Sequence, residues 1–224
     1  MNPIRVGLLG SGVVGSGVFN VLKRNRVEIT RRAGREIIVT QICARNLEKA
    51  RALVGNAVKV VADPIQIATS EEVDVLVEVI GGTTLSKEAS LAAINAGKAV
   101  VTANKALLAN HGNEIFAAAR AKGVPVMFEA AVAGGIPIIK ALREGLAANH
   151  IEWVAGIING TTNFILSQMR NQKLSFEAAL KEAQRLGYAE ADPTFDIEGI
   201  DAAHKLTLLS AIAFGIPVQF SKVT

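Results

Sequence analysis

The chain of 224 residues contains a single cysteine, Cys43. One thiol cannot form an internal disulfide, and secreted proteins commonly carry several paired cysteines. We therefore expect a reducing, cytoplasmic location. Cys43 lies in an apolar, strand-like run, so we interpret it as a small buried hydrophobic residue.

Aromatic residues are also scarce, at 4% of the chain. Proteins that bind single-stranded nucleic acid stack bases on aromatic side chains, and binding to a duplex needs concentrated positive charge. Here 24 basic and 20 acidic residues are interspersed. Two short basic clusters, 23–26 and 31–35, are interpreted as solvated helix ends. We expect no nucleic acid partner.

Long uninterrupted apolar runs are missing as well. Serines and glycines interrupt the apolar segment near the N-terminus, and the uncharged stretch 153–169 has a polar centre at 159–163. A membrane-spanning helix needs about 20 mostly apolar residues. No signal-peptide cleavage pattern stands out either. We expect no membrane association.

What the chain does have is a glycine motif, Gly10-Ser-Gly-Val-Val-Gly15, between the apolar run Val6–Leu9 and a segment with helical spacing. The order strand, glycine turn, helix is typical of dinucleotide-binding domains, although a plain turn in another α/β protein would look similar. Gly10 would permit the tight turn, Gly12 the approach of a pyrophosphate, and Gly15 close packing of helix on strand. The predicted cofactor-binding residues here are Gly10, Ser11, Gly12, Val13, Val14 and Gly15.

The residue after the second predicted strand, Glu36–Ala44, bears on the choice of cofactor. Enzymes that prefer NAD usually have an acidic residue there for the ribose 2′-hydroxyl, but this chain has Arg45. An arginine can bind a 2′-phosphate, which favours NADP over NAD. The alternative is that Arg45 only flanks the next helix, for which Asn46 is a suitable N-cap.

Further strands alternate with helices up to residue 130, which predicts an α/β fold with a doubly wound parallel sheet. The predicted strands are Val58–Val61, Val73–Ile80, Ala99–Ala103 and Val124–Ala130. Ligands bind beyond the carboxyl ends of such strands, so the cofactor is also expected to contact Gly81, Gly82, Thr83 and Lys105. On spacing alone, Lys105 is equally well explained as a solvated surface cation.

The pattern changes near residue 131. A turn over 132–137 leads into a helix that ends near Asn149, followed by an apolar segment, Ile151–Ile158, that predicts a strand. Helices are predicted over 163–171, 175–186 and 198–214. We therefore predict a nucleotide-binding domain at 1–130 and an α+β substrate-binding and dimerisation region at 131–224.

Charged groups concentrate between Gly187 and Lys205, where five carboxylates and one lysine occur. Asp201 and Lys205 are four residues apart, so they share one face of a helix. An exposed ion pair would be the ordinary interpretation, but the helix is heavily apolar and predicted to be mostly buried. Glu190, on a loop, could bind a substrate ammonium group. His204 points off the Asp201–Lys205 face and is interpreted as a packing or surface residue.

Six segments together resemble the homoserine dehydrogenase family in order and spacing, over essentially the whole chain. They are Gly10–Gly15, Glu78–Gly82, Thr102–Lys105, Glu129–Pro137, Asn159–Asn163 and Gly187–Lys205. The resemblance implies NAD(P)-dependent, reversible reduction of L-aspartate 4-semialdehyde to L-homoserine, in threonine, methionine and isoleucine biosynthesis. The last two motifs are specific to the family, and the cluster at 187–205 argues against another semialdehyde or amino-acid dehydrogenase, which is the alternative among enzymes.

The resemblance also implies roles for individual residues. Lys205 matches the proton donor to the aldehyde oxygen, and Asp201 matches the partner of that lysine. Lys105 matches a second lysine between cofactor and substrate. Glu190 and Asp196 match positions that hold the substrate amino group.

A sodium-type cation site is implied by the turn that begins at Glu129. Its expected ligands, largely backbone carbonyls, belong to Glu129, Val132, Gly134 and Ile136. Family members continue beyond the equivalent of Thr224, so we expect the substrate region to be incomplete. This predicts association into a homodimer or larger oligomer and leaves open a cofactor-binding fragment without turnover.

Overall fold

The central strand of the first unit, β1 (Ile4–Leu9), forms the middle of a six-stranded parallel sheet in the computed structural model, which describes residues 1–224. The chain divides into two units, Met1–Ala131 and Val132–Thr224. The sheet order is β3-β2-β1-β4-β5-β6. The other strands are β2 (Ile37–Cys43), β3 (Lys59–Val61), β4 (Val75–Glu78), β5 (Ala99–Thr102) and β6 (Val126–Met127). The predicted doubly wound α/β fold is confirmed.

Helices follow the strands of this unit. They are α1 (Val13–Arg24), α2 (Arg26–Ala33), α3 (Leu47–Val54), α4 (Pro64–Ala68), α5 (Thr84–Asn95) and α6 (Lys105–Lys122). Side chains that are fully buried between sheet and helices, such as Leu8, Ile42 and Leu76, form the core. All strands are parallel. The carboxyl ends of β1, β2, β4 and β5 therefore lie at the same edge of the sheet.

Arg31 and Arg32 lie in the last turn of the surface helix α2, exposed to solvent as predicted, and both pair with Glu28. One part of this unit differs from the prediction. The predicted strand Val124–Ala130 is formed only at β6, because the chain turns into a 3₁₀ helix at Glu129–Ala131. An apolar run shows that a segment is buried, but not where its backbone turns.

Cys43, the last residue of β2, is buried as expected, and its Sγ donates to the Ala62 carbonyl at 3.3 Å. Burial raises the pKa of the thiol to about 11. The thiol is therefore neutral near pH 7, which fits a structural residue rather than a nucleophile.

The second unit is helical. After α7 (Ile138–Lys140), which continues as one π-helical turn at Ala141–Gly145, come α8 (Gly160–Gln172), α9 (Phe176–Arg185), α10 (Thr194–Ile197), α11 (Ile200–Phe214) and a final 3₁₀ turn at Phe220–Lys222. Helices α8 and α9 pack through Ile165, Ala179 and Ala183, which are almost fully buried. The small alanines let the two helices approach closely.

The strand predicted at Ile151–Ile158 is not formed, and the second unit contains no strand. The prediction of an α+β second region was wrong in this respect. A strand needs a neighbour for its backbone N–H and C=O groups, and no other segment of Val132–Thr224 pairs with this one. Across the whole chain, no helix is long and apolar enough to cross a bilayer.

Candidate cofactor and substrate sites

The glycine turn after β1 requires glycine at two positions for steric reasons. Gly10 has φ of 109°, and a Cβ there would lie 2.9 Å from the Val79 carbonyl oxygen. A Cβ on Gly15, in the first turn of α1, would overlap the carbonyl oxygen of Gly10. A Cβ on Gly12 would meet no atom within 4 Å. Gly12 therefore leaves open space beside the helix, as a bound pyrophosphate requires.

The N-terminus of α1 is suited to an anion. Gly12 is its N-cap, no side chain caps the helix, and its first turn carries no acidic residue. Backbone N–H groups in the first turn of a helix have no intrahelical acceptor and lie at the positive end of the dipole. Ser16 Oγ donates to the Ser11 carbonyl at 3.0 Å, which fixes the turn. Val13 and Val14 are 94% and 54% exposed, so the turn is open to a ligand.

Arg45 lies beside this turn. The N–H of Gly10 donates to the Cys43 carbonyl at 2.9 Å, which joins the end of β2 to the glycine turn. Arg45 follows two residues later and is exposed. Asn46 caps α3 by accepting a hydrogen bond from the Lys49 N–H at 2.9 Å, as predicted. This cap does not use the guanidinium, so Arg45 remains a candidate for binding a 2′-phosphate.

The other half of the cofactor edge lies at the ends of β4 and β5. A cavity of about 250 Å³ there brings together residues of three predicted segments. It is lined by Val14, Val79, Gly81, Ala103, Asn104, Lys105 and Ala106. Gly81 and Gly82 both have positive φ, at 75° and 69°, and Thr83 is the N-cap of α5. Lys105 is the first residue of α6 and lines this cavity.

In the second unit, Lys205 and Asp201 form the predicted pair on one face of α11. Lys205 Nζ donates to Asp201 Oδ2 at 2.5 Å and to the Ile158 carbonyl at 2.7 Å. The two side chains are only 18% and 12% exposed. The pair is therefore shielded from solvent, unlike an ordinary surface ion pair.

Asn159 joins this pair to a second carboxylate. Its Nδ2 donates to Asp196 Oδ1 at 2.7 Å and to Asp201 Oδ2 at 2.9 Å, while its Oδ1 accepts from the Thr162 N–H at 2.8 Å and so caps α8. Asn159 is 8% exposed. Asn159 is the first residue of the Asn159–Asn163 motif. Nothing in that motif indicated that its side chain bridges two carboxylates, which lie 37 and 42 residues away in the sequence.

A cavity of about 570 Å³ opens onto these groups. It is lined by Asn159, Gly160, Thr161, Phe164, Gly187, Tyr188, Asp196, Asp201 and Lys205. The structure thus brings together three of the predicted substrate and catalytic residues. Glu190 is exposed and outside this lining set, and its backbone carbonyl accepts from Gln184 Nε2 at 3.2 Å.

His204 is not part of this cavity lining. It is 3% exposed and lies against the rings of Phe195 and Phe220, with centroid distances of 5.8 and 4.5 Å. Of the two interpretations, packing or surface residue, this burial supports the first.

The predicted cation ligands fall in both units. Glu129 begins the 3₁₀ helix of the first unit, whereas Val132, Gly134 and Ile136 open the second. Ala133 and Gly134 have positive φ, at 58° and 57°. The Ile136 carbonyl accepts from the Ile138 N–H at 2.8 Å. No group of three or more His, Cys, Asp or Glu side chains could hold a metal ion.

Taken together, the sheet order, the glycine turn with its uncapped helix and the cavity at the ends of β4 and β5 define a dinucleotide-binding protein of the doubly wound α/β class. Comparison with models of protein families identifies the family within this class. Residues 10–129 match the model for the homoserine dehydrogenase NAD binding domain, and residues 137–224 match the model for homoserine dehydrogenase. The chain belongs to the homoserine dehydrogenase family.

Individual relatives agree. The chain is 64% identical over 222 residues to the homoserine dehydrogenase of Pseudomonas aeruginosa and 60% identical over 221 residues to that of Neisseria gonorrhoeae, covering 99% of this chain and 51% of each relative. A crystal structure of a homoserine dehydrogenase from Thiobacillus denitrificans matches with a TM-score of 0.94 and 66% identity, covering 99% of this chain and 51% of that one. The chain thus spans about half the length of these relatives.

A more distant solved structure is described with its cofactor. It is a hyperthermophilic archaeal homoserine dehydrogenase in complex with NADPH, 28% identical with a TM-score of 0.81, covering 96% of this chain and 71% of that one.

Proposed function

We propose that this chain carries the cofactor-binding and substrate-binding parts of a homoserine dehydrogenase, which interconverts L-aspartate 4-semialdehyde and L-homoserine. The observation that supports it most is the shielded cluster of Lys205, Asp201 and Asn159 on a cavity of about 570 Å³. A lysine held by one carboxylate and one carbonyl is a fixed proton donor, which reduction of an aldehyde requires.

The chemistry assigns a role to each group. A bound nicotinamide cofactor supplies the hydride to the aldehyde carbon or accepts it from the alcohol. As negative charge develops on the substrate oxygen, the Lys205 ammonium group stabilises it and donates a proton to it. In the direction of oxidation, neutral Lys205 accepts the hydroxyl proton. Asp201 and the Ile158 carbonyl hold Nζ in place in both directions.

Binding of the amino acid requires a group for its ammonium. Asp196 lines the same cavity as Lys205. A carboxylate has about four acceptor positions, so Asp196 can bind an ammonium group and keep its bond from Asn159. Glu190 is the second residue proposed for this role, and Lys105 is proposed to act beside the nicotinamide.

The finer assignments follow the family. We infer NADP as the preferred cofactor, since Arg45 is exposed beside the glycine turn and an archaeal relative was solved with NADPH. On the same resemblance we propose a monovalent cation bound at Glu129, Val132, Gly134 and Ile136. We also propose a homodimeric or larger assembly, a cytoplasmic location and a role in threonine, methionine and isoleucine biosynthesis.

One alternative has its own support. Because the chain covers 51% of its relatives, it could bind the cofactor without turnover. Assays of activity and of binding therefore need to be made side by side.

The test is oxidation of NADPH with L-aspartate 4-semialdehyde by the chain, by Lys205→Ala and by Lys181→Ala, whose lysine is exposed on α9. We expect the parent and Lys181→Ala to turn over alike, and Lys205→Ala to lose about 10²–10⁴-fold in kcat, the usual contribution of a positioned acid. Equal rates in all three would contradict the role of Lys205. NADPH binding without turnover in the parent would favour the alternative.

A further inference from the structure

Glu78 is a fully buried carboxylate that the proposed chemistry leaves without a function. It is 0% exposed and is the last residue of β4, at the edge of the sheet where the cofactor cavity opens. Burial of a carboxyl group is costly unless hydrogen bonds satisfy it. Its contacts therefore indicate what it is for.

Both oxygens of Glu78 accept hydrogen bonds from turns at the cofactor edge. The Ile80 N–H donates to Oε1 at 3.0 Å, and Thr102 Oγ1 donates to Oε2 at 2.6 Å. Glu78 and Thr102 are register partners at the ends of β4 and β5. The carboxylate thus holds the turn after β4 to the end of β5.

The direction of these bonds is fixed. Thr102 Oγ1 accepts a hydrogen bond from the Asn104 N–H at 2.9 Å, and its single proton points to Glu78. Asn104 in turn donates through Nδ2 to the Gly82 carbonyl at 2.7 Å and caps α6 by accepting from the Leu107 N–H at 3.0 Å. The series Glu78, Thr102, Asn104, Gly82 therefore connects both turns that line the cavity.

The position of this hydrogen-bond network indicates which half of a bound dinucleotide would lie beside it. A dinucleotide lies across the point where the strand order reverses, here between β1 and β4, with its adenosine half on the β2 side. The network lies at the ends of β4 and β5, on the opposite side. Its four hydrogen bonds join the turn that contains Gly82 to Asn104, the residue before Lys105, and none of the four is made to the glycine turn or to Arg45, although Gly10 lies against Val79 and Ile80.

We propose that Glu78 is a positioning residue for the nicotinamide half of the cofactor, acting through Thr102 and Asn104 on the turns that line the cavity. The proposal rests on cofactor binding as proposed above, but not on the identity of the substrate. It differs from a general stabilising role, which would affect both halves of the cofactor equally.

The experiment compares two ligands on the full chain. NADPH contains both halves of the cofactor, and adenosine 2′,5′-bisphosphate contains only the adenosine half. The variant Glu78→Gln keeps the shape of the side chain but replaces one acceptor oxygen by an NH₂ donor, so either the Ile80 N–H or the Thr102 hydroxyl loses its acceptor. Glu88→Gln makes the same chemical change on an exposed residue of α5 and is the matched control.

We expect Glu78→Gln to raise the Kd for NADPH about tenfold and to leave the Kd for adenosine 2′,5′-bisphosphate unchanged. Thr102→Val, which lacks the hydroxyl, should do the same, and Thr102→Ser, which restores it, should bind NADPH like the parent. Glu88→Gln should leave both Kd values unchanged. NADPH fluorescence and calorimetry measure the two affinities.

Three results would overturn the proposal. An unchanged Kd for NADPH in Glu78→Gln would remove the role, and an equal loss for both ligands would make Glu78 a general structural residue. If the parent bound neither ligand, cofactor binding itself would be wrong for this chain. Failure of the activity assay with L-aspartate 4-semialdehyde, with normal NADPH binding, would leave the proposal for Glu78 standing, so the two proposals fail separately.

Discussion

At the scale of single residues, an ion pair in the first unit joins Arg5 to Asp74. Asp74 Oδ1 accepts from Arg5 Nη2 at 2.7 Å, and Oδ2 accepts from the Arg5 backbone N–H at 2.8 Å. The hydrogen bond from the Arg5 side chain is the main reason that the pKa of Asp74 lies below its ordinary value. The pair joins β1 to the segment just before β4, at the sheet edge opposite the cofactor.

A pH dependence of stability follows from this shift. The carboxyl pKa is lower in the folded than in the unfolded chain, so the stabilisation is present above the unfolded value of about 3.9 and is lost as pH falls through the folded one. Asp74→Asn should lower the free energy of unfolding at neutral pH, and its difference from the parent should shrink at acidic pH. Urea unfolding at several pH values measures this.

Glu71→Gln is the control for Asp74→Asn, because it removes a carboxylate from an exposed neighbouring residue. A difference between parent and Asp74→Asn that stays constant down to about pH 3, below the unfolded pKa of an ordinary aspartate, would show that the charge is not involved. The partial exposure of the pair, 38% and 37%, limits the size of the effect.

Residue-level predictions from the sequence succeeded where the chemistry is local. Asp201 and Lys205 are four apart on one helix, so helix geometry alone brings them together. Asn159 and Glu78 both lie in motifs that stand out in the sequence, but the sequence did not predict their hydrogen-bond partners. Asn159 bridges carboxylates that lie 37 and 42 residues away, and Glu78 meets a hydroxyl 24 residues away. Such contacts depend on tertiary packing that no spacing rule supplies.

At the scale of elements, β1, the glycine turn and α1 make a unit whose close approach depends on Gly15. Gly15→Ala would place a methyl group onto the Gly10 carbonyl oxygen. We expect it to destabilise the chain by about 1–3 kcal/mol, as overpacking usually does, and to weaken NADPH binding, because helix and turn must separate. Urea unfolding and NADPH fluorescence measure the two effects.

Gly17→Ala is the matched control on the same helix. A Cβ at Gly17 meets no atom within 4 Å, and alanine favours a helix over glycine by roughly 0.5–1 kcal/mol. We therefore expect Gly17→Ala to stabilise the chain and to bind NADPH like the parent. If both variants behaved alike, the steric account of the turn would be wrong.

Helices and strands could be predicted where the sequence pattern fits only one kind of secondary structure. An apolar run followed by a glycine turn and a helical period gave β1 and α1 directly. The apolar run Ile151–Ile158 also fits a strand, but strand formation needs a partner, and none is present in the second unit. The short helices α4 and α10, of five and four residues, have too few turns to show a helical period.

At the scale of the whole molecule, the two units carry different chemistry. The first presents open backbone at a sheet edge, where we propose that the cofactor binds, and the second presents a cavity with carboxylates and a lysine, where we propose that the amino acid binds. A ligand protects the amides of the segments that it contacts, in addition to stabilising the native state as a whole. The two ligands should therefore leave separate patterns of hydrogen exchange.

We expect NADPH to slow amide exchange at the three turns of the cofactor edge, residues 10–16, 79–84 and 102–106. Homoserine should slow exchange at 158–162 and 187–205. Residues 69–74, which lie at the opposite edge of the sheet, are the internal control, since exchange there should change only if the whole first unit is stabilised. Hydrogen exchange followed by mass spectrometry reads all of these segments in one experiment.

The outcome tests directly whether the cofactor and the amino acid bind to different units. Slowing at 69–74 as large as at the three turns would mean that NADPH stabilises the first unit without contacting the proposed edge. Slowing by homoserine confined to the cofactor edge would place its binding away from Lys205 and would contradict the assignment of the 570 Å³ cavity to the amino acid. Two separate patterns would support both assignments even in a chain that does not turn over, because protection depends on binding and not on hydride transfer.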